Sequence, residues 1–138
     1  MIAYVDTSVL LRVVLSQPDR LGEWASIDQA VTSALTEVEC LRTLDRRCRQ
    51  GLLDPRELAD RRGLALRLLE RMDRVDLSPA VLRRAADPFP TPLGTLDAIH
   101  LATAILWRDG RSVAPVLVTH DGELAMAARA VGFLVAGG

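Results

Sequence analysis

The chain reads as an α/β protein, a three-layer α/β/α sandwich on a mostly parallel central sheet. Three observations predict this class. Short apolar runs alternate with stretches of helical periodicity from one end to the other, with no internal repeat or low-complexity tract. Two of the runs, Ile2-Ala3-Tyr4-Val5 and Val116-Leu117-Val118-Thr119, lead within a residue or two to an aspartate and then into a helical pattern, as strands feeding parallel crossovers do. At 138 residues and 49% apolar composition the chain can bury one full core but not two, so residues 1–138 are expected to form a single domain.

Taken in order, the first strand Ile2–Val5 gives way to a helix from about Thr7 to Leu15, which Gln17-Pro18 ends. A short helical piece follows around Leu21 to Ser26, and Ala30–Ser33 reads as a second strand. From Ala34 to Arg49, Leu35, Val38, Leu41, Leu44 and Cys48 recur at helical spacing, and Gly51 stops the helix. The clearest helix start is Asp54-Pro55-Arg56-Glu57: an N-cap, a proline at the first helical position, and a glutamate placed to complete a capping box. That helix is expected to reach about Arg74. Val75-Asp76-Leu77 then makes a brief strand, and Ser78-Pro79 opens a helix to about Ala86. The segment Pro88-Phe89-Pro90-Thr91-Pro92 excludes regular structure and delivers the chain to a helix from about Leu96 to Trp107, capped by Thr95. After the strand at Val116 comes a helix from Gly122 to about Val131, stopped by Gly132, and Phe133-Leu134-Val135 supplies a closing strand.

Composition narrows the class further. No apolar run reaches the roughly 18 residues of a membrane span, and Asp6 stands where a signal peptide needs an apolar centre. A soluble, cytoplasmic protein is expected. Cys40 and Cys48 lie on one helix roughly 12 Å apart in rise, beyond disulfide reach, and read as small buried apolar residues. The formal net charge of −1 hides an asymmetry: Arg42 to Arg84 holds twelve arginines against seven acids, the remainder five against eleven. All seventeen basic residues are arginine, whose planar fork suits phosphate, although a general compositional preference for arginine over lysine explains the count equally well.

Four carboxylates then call for an account: Asp6, Glu39, Asp97 and Asp121. In open α/β sheets ligand chemistry collects outside the carboxyl ends of the strands, so Asp6 and Asp121 share that edge if their strands are parallel neighbours. Asp97 falls in the first turn of its helix, and Glu39 lies on the helix opening near Ser33. Acids in a first turn also stabilise the helix dipole, which is reason enough for Asp97 or Asp121 taken singly. Asp6, directly after an apolar strand, sits where an unpaired charge is costly. On its helix Glu39 competes with Glu37, two residues away and facing a different direction, and pattern alone leaves that choice open. Carboxylates meeting at about 5 Å repel by about 3 kcal/mol per pair at an effective dielectric of 20, so such a cluster needs a cation or a raised pKa. All-oxygen ligation favours Mg²⁺ or Mn²⁺.

The blocks Val5-Asp6-Thr7-Ser8, Ser33 through Glu39-Cys40-Leu41-Arg42, Leu96-Asp97-Ala98-Ile99-His100-Leu101-Ala102-Thr103-Ala104 and Val118-Thr119-His120-Asp121 resemble the four motifs of PIN-domain ribonucleases, particularly the VapC toxins of bacterial toxin–antitoxin pairs. The resemblance covers the whole chain, in order and spacing. It places the second acid in a Glu-x-x-Arg context, which Glu39 and Arg42 satisfy and Glu37 does not. It implies a Mg²⁺- or Mn²⁺-dependent endoribonuclease in which Asp6, Glu39, Asp97 and Asp121 are the catalytic and metal-binding acids. Thr7, Ser8 and Thr119 would be the supporting hydroxyls. It also implies an RNA substrate, a VapB-type antitoxin and a homodimer. Within the basic stretch, Arg42 and Arg46 are candidate RNA contacts, since phosphate contacts supply most non-specific affinity. Aromatics make up 4% of the chain, so shape and backbone reading fit better than base stacking. His100, one turn from Asp97, reads as a packed core residue, and His120 as pointing away from the acids.

Other functions are weighed against these residues. A phosphorelay receiver needs a late lysine, and the chain has none. A haloacid-dehalogenase-type phosphatase needs a second aspartate two residues after the first, where Ser8 stands. A non-catalytic nucleic-acid or protein-binding module on the same fold would lack one or more of the acids. An RNA-maturation PIN nuclease shares every residue named and differs only in biological role.

Overall fold

A computed structural model describes residues 1–16 and 22–137. The expected break at Gln17-Pro18 and the start of the next helical piece at Leu21 lie outside them. Among the described residues the sheet has five strands in the order β3-β2-β1-β4-β5, and every pairing is parallel. These are β1 (Ile2–Val5), β2 (Gln29–Ser33), β3 (Asp73–Val75), β4 (Val116–Val118) and β5 (Val135–Ala136). The helices are α1 (Thr7–Val14), α2 (Leu35–Arg49), α3 (Pro55–Glu70), α4 (Pro79–Ala86), α5 (Thr95–Arg111) and α6 (Gly122–Ala130), with a 3-10 turn at Gly22–Ser26.

The pleat of β1 sorts the core into two layers. Tyr4 faces Leu101, Ile105, Trp107 and Leu124 of α5 and α6, whereas Ala3 and Val5 face the opposite way, with Val9 of α1. On the α1 side, Leu10, Val14, Cys40, Leu44, Ala65 and Leu69 knit α1, α2 and α3 together. β1 is central and its last three residues are wholly buried, which explains why its sequence is a continuous apolar run. The strand order runs outward from β1 in both directions, so β1 and β4 flank the topological switch point of the sheet.

Boundaries differ from the sequence expectation in four places. β3 is Asp73–Val75 rather than Val75–Leu77, because α3 ends at Glu70 instead of Arg74 and the chain pairs with β2 at once, Val31 beside Asp73 and Ser33 beside Val75. β5 begins at Val135 because Phe133 belongs to the end of α6. Gly132 takes a positive φ of 95°, the Phe133 amide donates to the Ala128 carbonyl, and the ring is buried against the core. α5 runs on to Arg111 and stops where Ser112 turns left-handed. Thr95 is not its cap: Gly94 holds that position without a side-chain acceptor, and Thr95 is the first helical residue. The α3 start does form the reciprocal capping box between Asp54 and Glu57. Cys40 is buried, Cys48 is half-buried, and both are free thiols.

Candidate active site

The loops leaving β1 and β4 are stitched together around one carboxylate. The Asp6 amide donates to Val118 O, which carries the parallel pairing one residue past β1 and holds the side chain at the sheet's edge, only 5% exposed. Asp6 starts α1, yet its carboxylate does not cap that helix. Its Oδ2 instead accepts from Ser8 Oγ at 2.7 Å and from Thr119 Oγ1 at 2.7 Å. Each hydroxyl in turn accepts a backbone amide of the β4–α6 loop, His120 N to Ser8 Oγ and Asp121 N to Thr119 Oγ1. A hydroxyl has one proton, so filling its lone pair with an amide commits that proton to Asp6. The loop thereby fixes the direction of the carboxylate and leaves Oδ1 over.

Asp121 divides its oxygens in the same way. Oδ1 accepts from Leu124 N at 2.9 Å and caps α6, so Oδ2 is left over. Glu39 reaches the same edge from α2, in the opposite helical layer. Its Oε1 accepts from Thr7 Oγ1 at 2.7 Å and from His100 Nε2 at 2.6 Å. Glu37 is turned outward and pairs with Arg74 at 3.3 Å. Asp97 stands in the first turn of α5, and among the described residues no donor reaches it.

The electrostatics follow from this division. Burial raises the Asp97 carboxyl to about 6, and the charges on Asp121 and Asp6 push in the same direction. For Glu39, burial acts upward, but the His100 hydrogen bond, its charge and the Thr7 hydroxyl outweigh it and bring the carboxyl below its ordinary value. His100 is the counterpart: burial opposes its charge, yet the Glu39 bond and the charges of Asp6, Glu39 and Asp97 raise its pKa. At Asp97 the His100 charge acts downward, but burial and the neighbouring acids outweigh it.

The sequence pattern alone makes His100 a packed core residue. It is buried, 1% exposed, but it is the hub of the polar cluster: Nδ1 is 2.8 Å from Tyr4 Oη, and Nε2 is 2.6 Å from Glu39, 3.3 Å from Thr7 and 3.7 Å from Asp6 Oδ1. The signals that could have found it are its place one turn after Asp97 and the lone tyrosine two residues before Asp6. His120 turns away and places Nδ1 3.0 Å from Gly137 O. Arg42 and Arg46 are exposed on α2, Arg42 lying 3.6 Å from Asp45. With Glu39 they occupy positions i, i+3 and i+7, one face of the helix.

The donor set left over is uniformly hard oxygen: Asp6 Oδ1, Asp121 Oδ2, Glu39 Oε2 and both oxygens of Asp97. That suits a hard divalent cation, which would offset both the burial and the neighbouring negative charge that raise the Asp97 carboxyl. Among the described residues no three His, Cys, Asp or Glu side chains stand close enough to enclose an ion by themselves. Like charges repel when no cation stands between them, and an ion of opposite charge draws such carboxylates together. A recess of about 460 Å³ lies beneath Pro88–Pro92 and touches α5 at Ala98, one residue past Asp97, with none of the four acids in its lining.

A parallel sheet with acids gathered outside its switch point defines an α/β protein with an acidic edge site. The PIN domain family matches residues 3–130. Over 141 residues the chain is 37% identical to ribonuclease VapC35 of Mycobacterium tuberculosis, covering 96% of this chain and 93% of that one. It is 31% identical over 140 residues to ribonuclease VapC47 of the same organism, covering 96% and 94%. The chain belongs to the PIN-domain family, in its VapC-type branch. Among solved structures, FitAB bound to an IR36 DNA fragment superposes with a TM-score of 0.69 at 18% identity, covering 98% of this chain and 93% of that one. A toxin–antitoxin complex from Klebsiella pneumoniae gives 0.67 at 17%, covering 93% of each. At such identities these two speak for the fold alone.

Proposed function

We propose that this protein is an endoribonuclease that hydrolyses RNA phosphodiester bonds with the help of Mg²⁺ or Mn²⁺, acting as the toxin of a type II toxin–antitoxin pair. What supports the reading is a VapC-type chain whose Asp6, Glu39, Asp97 and Asp121 lie toward one carboxyl-terminal sheet edge, where burial first and then the charges of Asp121, Asp6 and Glu39 raise the Asp97 carboxyl to about 6. Asp6, Asp97, Asp121 and Glu39 would hold the cation. When bound, it supplies Lewis acidity toward the phosphodiester and acidifies water.

The chain's own residues do the positioning. Ser8 and Thr119 lock Asp6, and Thr7 together with His100 locks Glu39, so the free oxygens need little reorganisation when charge develops at the phosphate. Arg42 and Arg46 continue the Glu39 face of α2 away from the acids and offer guanidinium forks to the backbone of an RNA running along it. A polymer needs an open edge rather than an enclosed cavity, which fits this surface. The partners are an RNA, a VapB-type antitoxin and a second copy of the chain. No helix among the described residues is long and apolar enough to cross a membrane, in keeping with action on cytoplasmic RNA.

The test is sequencing of RNA 5′ ends after brief induced expression. Wild type should produce discrete new ends within minutes, and Asp97→Asn none. Indistinguishable end profiles from the two, with both proteins folded, would remove the nuclease reading.

A further inference from the structure

The two helical layers meet at the sheet's carboxyl edge through His100 of α5, which reaches Glu39 of α2 at 2.6 Å and Thr7 of α1 at 3.3 Å, and the ring is backed by the β1 side chain of Tyr4. Every member is buried or half-buried, and the Tyr4 and His100 rings meet edge-on, 73° between planes and 6.0 Å between centroids. Glu39 as a carboxylate can only accept. The 2.6 Å contact therefore requires a proton on His100 Nε2 whatever Nδ1 carries, and a flipped ring would set carbons against both Glu39 and Tyr4 and lose both bonds. With Thr7 on the same oxygen, Oε1 has both lone pairs filled and Oε2 is the one left toward the edge.

We propose that His100, steadied by Tyr4, is the positioning residue that sets the direction of the Glu39 carboxylate. The Tyr4–His100–Glu39 chain is then to Glu39 what Ser8 and Thr119 are to Asp6. Without it, the Thr7 hydroxyl alone holds Glu39, and a carboxylate tied by one hydrogen bond at Oε1 can swing about that bond, so its free oxygen loses a fixed place. The consequence for cation binding rests on the reading of the four acids as an ion site, whereas the positioning itself does not.

The experiment combines a metal titration with nitrogen NMR. Mn²⁺ affinity, read from the EPR signal of the free ion, is measured for wild type, His100→Leu, His100→Gln, Tyr4→Phe, Glu39→Gln and the His100→Leu/Glu39→Gln pair. Loss of a residue that orients a ligand weakens metal binding by about 10- to 100-fold, and that loss is expected for His100→Leu. His100→Gln keeps an amide donor near the place of Nε2 and should recover most of it, while Tyr4→Phe should give a smaller loss. In the Glu39→Gln background His100→Leu should add nothing. Equal Mn²⁺ affinity in wild type and His100→Leu, or the same fold loss with and without Glu39, overturns the proposal.

Ring ¹⁵N spectra without metal decide independently, and with two histidines in the chain they are simple to assign. His100 Nε2 should be the protonated nitrogen, and its resonance should move in Glu39→Gln but not in Glu37→Gln. An unprotonated or unmoved Nε2 refutes the proposal even if the leucine variant fails to fold. A wild-type protein that binds no Mn²⁺ would sink the ion-site reading and leave the NMR result to judge His100.

Discussion

Replacing Asp97 by asparagine should make the metal-free protein more stable while destroying its activity. Asp97 is the acid that no hydrogen-bond donor reaches among the described residues, and its carboxyl is raised from 3.8 to about 6 by burial and by Asp121 and Asp6. A group whose folded pKa lies above its unfolded value favours the folded state below the unfolded pKa, and that advantage is lost as pH rises through the folded pKa. Wild type should therefore lose stability between about pH 4 and pH 6. At about 1.36 kcal/mol per pH unit the full penalty is about 3 kcal/mol, and roughly half survives solvent screening of a half-buried side chain. Asparagine keeps the shape and removes the charge, so at pH 7.5 in EDTA its melting temperature should rise by about 5 °C. Below pH 4 the two proteins should melt together. Saturating Mn²⁺ should reverse the order, because an ion present at 100 times its dissociation constant stabilises the wild type by about 2.7 kcal/mol. Differential scanning calorimetry from pH 3.5 to 8, with and without Mn²⁺, reads all of this. An asparagine variant no more stable than wild type at pH 7.5 without metal would refute the argument that burial and the neighbouring acids penalise the Asp97 charge.

Glu39→Gln should reduce RNA cleavage by about 100-fold or more, whereas Glu37→Gln, whose carboxylate pairs outward with Arg74, should stay within about twofold; the reverse order would overturn the assignment on α2. Mg²⁺ or Mn²⁺ should raise the wild-type melting temperature in proportion to the logarithm of its concentration, and an equal rise in Asp6→Ala would speak against a carboxylate site. The antitoxin is expected to place an arginine among the acids, since a guanidinium fork pairs bidentately with carboxylates; Asp6→Ala combined with Asp121→Ala should weaken the complex by about tenfold in a binding titration, and undiminished affinity would locate inhibition elsewhere.

Much of the architecture was legible from local rules. β1 and β4 announced themselves as apolar runs ending in acids, and Asp54-Pro55-Arg56-Glu57 specified its helix start because every group involved lies within four residues. The errors came where distant pairing decides. β3 lies two residues earlier than its apolar pattern suggested because β2 recruits Asp73, and Phe133 was claimed by the end of α6 rather than by β5. The acids could be placed at one edge from topology alone. The Tyr4–His100–Glu39 chain could not, because its partners lie 96 and 61 positions apart in sequence and a buried histidine carries no local mark of what it bonds.

The margins of the sheet are short. β3 offers three residues and β5 two, and on β3 the side chains are already occupied, Asp73 by Gln29 across the strands and Arg74 by Glu37. An extended peptide that sought to lengthen such a sheet would gain two or three backbone pairings, too few to repay its own ordering. Margins like these give neither a second copy of the chain nor an extended peptide a template to zip onto. An inhibitor that reaches the acids is therefore expected to do so with side chains rather than by adding a strand.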